Sequence, residues 1–175
     1  MWEILGGMFV LIVMIVLSGI KVVKENYRLV VFRQGRLVGT KGPGMHLILP
    51  IVECGEMVDT RASSVTSPLV EAVTQDGRTV EVSAICMYQV ADAGKAITVL
   101  DNLPEAMRAL TQTSSRTVVL ESSLAELRDE PKRASRRLRL LLEKNSRNWG
   151  VKILSCELGD LRAYAQVEQT VREEA

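Results

Sequence analysis

Aromatic residues are scarce in this chain, with two Trp, three Tyr and two Phe among 175 residues. Basic charge has no surplus either, since 22 Lys and Arg stand against 21 Asp and Glu and leave a formal net charge of +1. Without stacking platforms or a positive field, an ordinary nucleic-acid-binding module is excluded. The one histidine, His46, and three scattered cysteines, Cys54, Cys86 and Cys156, offer no Cys-x-x-Cys pair and no clustered ligand set for zinc. Gly94-Lys95 lacks the upstream glycine of a phosphate loop, and neither Gly-x-Gly-x-x-Gly nor Gly-x-Ser-x-Gly occurs. No catalytic residue, metal or cofactor is therefore expected. His46, between Met45 and Leu47, suits a buried or interfacial imidazole better than a catalytic base. The odd, widely spaced cysteines exclude a disulfide framework and suggest a reducing compartment.

What the chain has is an oily beginning. From Ile4 to Ile20 it carries no charged side chain, and this run at the helical rise spans roughly 25 Å, a little short of a hydrocarbon core of about 30 Å. Trp2, Ile4, Leu5, Phe9, Leu11, Ile15, Leu17 and Ile20 would face lipid, with Lys21 and Lys24 at the headgroups. Val22 and Val23 would extend the span, which sets the anchor at residues 1–23. A cleaved leader would put positive charge before the run and a small-x-small site after it; Glu3 and Ser18-Gly19-Ile20 fit neither, so the anchor is expected to stay. Lys21, Lys24 and Arg28 follow the span and none precedes it, which places the folded part on the cytoplasmic side.

The rest is long enough for one ordinary domain. Tyr27 to Phe32 alternates as a strand, with an unpaired edge unless something covers it, and Gln34-Gly35-Arg36 turns it into a second short strand. Gly39-Thr40-Lys41-Gly42-Pro43-Gly44 reads as turn and open loop. Thr79 to Val90 puts Val80, Val82, Ala84, Cys86, Tyr88 and Val90 on one face, behind an Asp76-Gly77 hairpin signal. Asn102 and Pro104 open a helix running from Glu105 to about Leu120, and Ser123-Leu124-Ala125-Glu126 is a capping box for a short second one. Asp129 would cap a third, with Ala134, Leu138, Leu141, Leu142, Asn145 and Trp149 at helical spacing until Gly150. Val151 to Leu158 returns to strand. Strands, then helices, then a strand predict an α+β domain.

Lys21-Val22-Val23-Lys24-Glu25-Asn26-Tyr27-Arg28-Leu29-Val30-Val31-Phe32-Arg33-Gln34-Gly35-Arg36, Lys41-Gly42-Pro43-Gly44, Leu47-Ile48-Leu49-Pro50 and Val58-Asp59-Thr60-Arg61 follow in order. Thr74-Gln75-Asp76-Gly77, Val80-Glu81-Val82, Tyr88-Gln89-Val90, Leu110-Thr111-Gln112-Thr113 and Trp149-Gly150-Val151-Lys152 continue the set. Over residues 20–160 the chain resembles the stomatins of the stomatin, prohibitin and flotillin superfamily, also called SPFH or band 7 proteins. The resemblance implies an N-terminal membrane helix, an SPFH-type domain over 24–160 with an antiparallel sheet and packed helices, and a non-enzymatic scaffold. It also implies homo- or hetero-oligomers with related SPFH subunits that organise membrane patches and membrane-protein complexes. The alternative is a regulatory subunit bound in low copy number to a membrane protease, a channel or an NfeD-type partner. Where stomatin-like chains continue into a long Ala- and Glu-rich helix, this one is expected to end in a short, truncated helix over 161–175, and Leu161-Arg162-Ala163-Tyr164 stands where the family commonly has a proline.

Two surfaces remain as binding candidates. Leu47, Ile48, Leu49, Ile51 and Val52 either pack inside the domain or form a second contact with membrane lipids, and so many apolar side chains beside a loop favour the membrane. Arg133, Arg136, Arg137 and Arg139 must lie opposite the apolar stripe of their helix. That face serves as solvated surface, as a contact for acidic headgroups, or as a contact for an acidic edge of a neighbouring subunit.

Overall fold

The computed structural model describes Trp2, Gly6–Phe9, Met14, residues 18–49 and residues 52–163. Among the described residues from Ile20 on, nine strands, four α-helices and one 3₁₀ turn follow in order. They are β1 (Ile20–Val23), β2 (Tyr27–Arg33), β3 (Arg36–Lys41), β4 (Gly44–Leu47), β5 (Glu53–Asp59), β6 (Ala62–Thr66), β7 (Val70–Val73) and β8 (Thr79–Val90). Then come α1 (Ala93–Val99), α2 (Leu103–Leu120), α3 (Leu124–Asp129), α4 (Pro131–Asn145), the turn Arg147–Trp149 and β9 (Val151–Ala163). The α+β order expected from the sequence is present, and the chain divides into two units.

Unit 1 gathers the described residues through Ala62 with Gln89–Asp101 and Asn148–Val151. β2 is its central strand, antiparallel to β3 on one side and to β5 on the other. The edges expected to be open on Tyr27–Phe32 are thus closed, and β3 and β5 hold the outer places. The β2–β3 reversal uses Gln34 at φ 50° and Gly35 at φ 78°, the left-handed pair that matches the twist of a two-residue hairpin. β3 runs on through Gly39-Thr40-Lys41, so part of the segment read as open loop is strand; Gly39 pairs with Val31 and Leu37 with Phe32, which leaves Val38 as the extra residue of a bulge. A separate antiparallel pair joins β1 to β4, with Ile20 opposite Leu47 and Val22 opposite Met45. Val23, Leu29, Val31 and Ile48 form a buried cluster of this unit, with Tyr27 packed at its side, and Val30, Ala93 and Ala96 are buried as well.

α1, which sequence periodicity did not reveal, starts where the Asp92 carboxylate accepts the Lys95 backbone N–H at 3.2 Å. Gly150 holds that corner. Its carbonyl accepts the amides of Ala91 and Asp92 at 2.9 and 2.8 Å. At φ 68°, a Cβ on it would stand 2.5 Å from the Asp92 carbonyl oxygen, so only glycine fits there.

Unit 2 holds Ser63–Tyr88, Asn102–Arg147 and the described residues from Lys152. Its sheet runs β6-β8-β7, with β9 also paired to β8. The alternation expected for β8 is realised, because Val80, Val82, Ala84, Cys86 and Tyr88 are buried while Ile85 and Met87 on the other face are exposed. α2 begins as expected, the Asn102 side chain accepting the Glu105 N–H, and α3 begins with Ser123 accepting from Glu126. α2 packs on β7 and α4, and α3 packs on α4. α4 departs from expectation at both ends. Asp129 is the last residue of α3 rather than a cap, and Glu130 takes the capping position without a side-chain bond. The helix stops at Asn145, where Ser146 turns its hydroxyl back to the Leu142 carbonyl at 2.7 Å. Ala134, Leu138 and Leu142 are buried, and Asn145 is exposed.

Both ends of the domain differ from the boundaries read from sequence. Ile20–Val23 is strand rather than the last turn of a membrane helix. β-branched Ile20, Val22 and Val23 favour the pleat, and β4 supplies the ladder. β9 carries the chain as strand through Ala163, so Leu161-Arg162-Ala163 do not begin a helix. The rest of the expected C-terminal helix, from residue 164, lies outside the described residues.

Candidate functional site: an apolar sheet face and a basic helix

The β1–β4 pair sorts its side chains by strand alternation. Ile20, Val22, Met45 and Leu47 share one face because the register sets 20 against 47 and 22 against 45. All four are exposed, Met45 by 73% and Val22 by 62%. Val23, on the opposite face, is buried in the core. Leu49 and Val52 add exposed apolar surface next to this face in sequence. The second membrane contact read from sequence is thereby re-cut. Leu47, Leu49 and Val52 are outward, whereas Ile48 is 3% exposed among Val23, Leu29 and Val31 and cannot touch lipid. Ile51 lies outside the described residues. The structure adds Met45, Val22 and Ile20, which strand pairing alone brings beside Leu47.

Of the proposed anchor residues, Trp2 and Phe9 are helical and exposed, as are Gly6–Met8 and Met14. Ile4, Leu5, Leu11, Ile15 and Leu17 lie outside the described residues. Among the described residues, no helix is long and apolar enough to cross a membrane. Lys21 stands opposite His46 in the β1–β4 ladder and is exposed, as is Lys24 just beyond the strand. The His46 Nε2 lies 2.8 Å from the Gly42 carbonyl, so the only imidazole is held by the β3–β4 loop. Among the described residues, no three His, Cys, Asp or Glu side chains gather as a metal site.

On unit 2 the four arginines of α4 do not share one fate. Glu126 of α3 reaches both Arg133 and Arg137 at 3.4 Å, and Glu130 adds a second contact to Arg133 at 3.4 Å. Arg137 also donates to the Ser122 hydroxyl at 3.4 Å. Arg139 is paired with Glu143 one turn on, at 2.8 Å. Among the described residues only Arg136 of the four has no carboxylate partner, and it stands exposed beside Lys132. The face read as a block of positive charge is largely a brace between α3 and α4 and within α4. Sequence spacing shows the arginines but not the acid one helix away that spends them.

The SPFH domain / Band 7 family profile matches residues 21–175. An uncharacterized protein of Archaeoglobus fulgidus is 36% identical over 155 residues, covering 89% of this chain and 62% of that protein. A stomatin homolog of Pyrococcus abyssi is 34% identical over 158 residues, covering 90% of this chain and 59% of its own length. Mouse stomatin is 31% identical over 158 residues, or 89% and 56%. The chain thus spans about three fifths of the length of these relatives.

Proposed function

Because the chain belongs to the SPFH domain / Band 7 family, we propose that it is a non-enzymatic, membrane-associated scaffold. The observation that carries this reading is the β1–β4 face: four apolar side chains that are each 44–73% exposed, directly after the apolar run that ends at Ile20. Full burial of such a side chain contributes about 1.5–3 kcal/mol, and each of these is already partly covered, so about 1 kcal/mol apiece remains to be gained from lipid. Four together hold unit 1 weakly on the headgroup boundary by themselves and firmly once the leading segment inserts. Lys21, Lys24 and Arg28 follow that segment, and the positive-inside bias keeps the folded units on the cytoplasmic side.

Lateral assembly with further copies or related subunits completes the proposal. β3 and β5 each have one strand partner in their sheet, and an anchored protein meets its neighbours at high effective concentration, so small interfaces hold. Flotation on vesicles of neutral and anionic lipid tests the membrane part. A chain lacking residues 1–17 should still float, and Val22→Glu with Met45→Glu in that chain should abolish it; a shortened chain that stays in solution rejects the face as a membrane contact. Particle size in mild detergent tests the assembly. Large homogeneous particles support the scaffold, and stoichiometric attachment of single copies to another membrane complex rejects it.

A further inference from the structure

Cys86 on β8 and Cys156 on β9 are separated by 70 positions in the chain, yet their sulfurs lie 3.3 Å apart with the Cys156 thiol donating to Cys86. Both are free and buried within unit 2, whereas Cys54 is exposed on β5. A structural buried cysteine is ordinarily an inert small hydrophobe. Two in contact are different, because each is the resolving partner of the other. They sit on paired strands with their sulfurs already 3.3 Å apart, so little rearrangement separates the dithiol from a bond of about 2 Å.

The pair is also reachable. Cys156 lines an open groove of about 490 Å³ between the start of α4 and β9, with Ser135, Arg136 and Arg139 on its walls. Cys156 is 7% exposed and Cys86 is fully covered, so the groove gives access to one sulfur and the second lies behind it. The hydrogen bonds Cys86 receives from Cys156 and from Thr111 hold its thiol below the usual range. Donation to Cys86 and burial push the Cys156 thiol up, and the neighbouring Arg139 and Glu143 charges act in opposite directions, so it is the reach from the groove and not ready ionisation that makes Cys156 the first sulfur met.

We propose that Cys86 and Cys156 are a reversible thiol–disulfide modification site, oxidised by a small peroxide that reaches Cys156 through the groove beside α4. An S–O bond forms at Cys156 as the peroxide O–O bond breaks, and the displaced hydroxide takes the thiol proton and leaves as water. The Cys86 sulfur then attacks the sulfenic sulfur: the S–S bond forms, the S–O bond breaks, and the hydroxyl departs with the Cys86 proton as a second water. Two thiols lose two electrons and hydrogen peroxide is reduced to two waters. In a reducing compartment such a bond is transient, and a cellular dithiol returns it to the free pair.

The test treats the full-length Cys54→Ser chain, native and membrane-bound, with hydrogen peroxide, then alkylates it under denaturing conditions and maps the peptides. Both remaining thiols should be lost to alkylation together, in a linked peptide pair lighter by two hydrogens, and dithiothreitol should restore both. With Cys156→Ser added, no linked pair should form and Cys86 should stay alkylatable. Untreated wild-type chain, by contrast, should yield all three thiols. The proposal is overturned if Cys86 and Cys156 stay alkylatable at a peroxide dose that consumes Cys54 in the wild-type chain. It is equally overturned if they link only after denaturant, or if Cys156 stops at sulfenic or sulfinic acid without linking.

Discussion

The β1–β4 face of unit 1 and the α4 face of unit 2 are both rows of side chains that a sequence reader would offer to a partner, but they differ in what remains available. On the first, Ile20, Val22, Met45 and Leu47 stay 44–73% exposed. On the second, Glu126, Glu130 and Glu143 have already answered three of the four arginines. An apolar side chain on a two-stranded pair has no second layer to hide under, while a guanidinium on a helix finds carboxylates within its reach on the next helix. A surface therefore has to be judged by its unspent chemistry rather than by its composition.

The same contrast separates large from small effects. In unit 2, Leu138 and Leu142 on the inner side of α4 are fully buried, and Leu142→Ala should cost about 2–5 kcal/mol by chemical denaturation. Leu47→Ala in unit 1 should move the midpoint little, because half of that side chain is already in water. Equal losses at the two positions would erase the comparison. Next in size, Met45→Glu should weaken vesicle binding of a chain lacking residues 1–17 by about 10-fold or more, since the lost transfer energy exceeds about 1.4 kcal/mol once a charge replaces an apolar group at the interface.

The charged face answers with smaller numbers. Glu126→Ala removes the shared partner of Arg133 and Arg137, and these partly exposed pairs should contribute about 0.2–1 kcal/mol each. The same change should strengthen binding to anionic vesicles, because it frees Arg137 and leaves Arg133 with Glu130 alone; Arg136→Glu should weaken it. If Arg133→Glu weakens binding as much as Arg136→Glu does, the carboxylates are not occupying the helix face. Smallest is the acid response of Glu53. The Arg33 guanidinium at 2.6 Å and the Leu49 amide hold the Glu53 carboxyl below its usual value of 4.5. Its folded pKa is depressed, so the stabilisation is present above the unfolded value and is lost as pH falls through the folded one. Denaturation midpoints followed below pH 5 should decline less steeply in Glu53→Gln than in the parent, with no difference near neutrality.

Much of unit 2 was legible because its elements announce themselves locally. Asn102 and Ser123 cap helices where they stand, and β8 alternates without a break over its twelve residues. Unit 1 was harder to read. β1 is only four residues long, too short for periodicity to separate from the apolar run before it; the extended apolar reading of the segment from Met45 fits β4, but its pairing with β1 is made between residues more than twenty apart. α1 was missed for a similar reason: Ala93-Gly94-Lys95-Ala96 has weak amphipathicity, and the helix depends on Asp92 at its start and Gly150 from far along the chain. Ile48 shows the limit most sharply. Its neighbours Leu47 and Leu49 are as apolar as it is, and only its packing against Val23, Leu29 and Val31, just past the end of β4, distinguishes it from them.

By itself the sequence determined the family, the α+β order, the starts of α2 and α3 and the inward face of β8. Those depend on short-range periodicity, capping chemistry and ordered motifs, which act over a few residues and survive without knowledge of the fold. Tertiary structure alone decided which apolar side chains stay uncovered, which arginines are neutralised and that Cys86 meets Cys156. Each of these is a contact between distant segments, and distance along a chain carries no record of the register, helix orientation or burial that closes it.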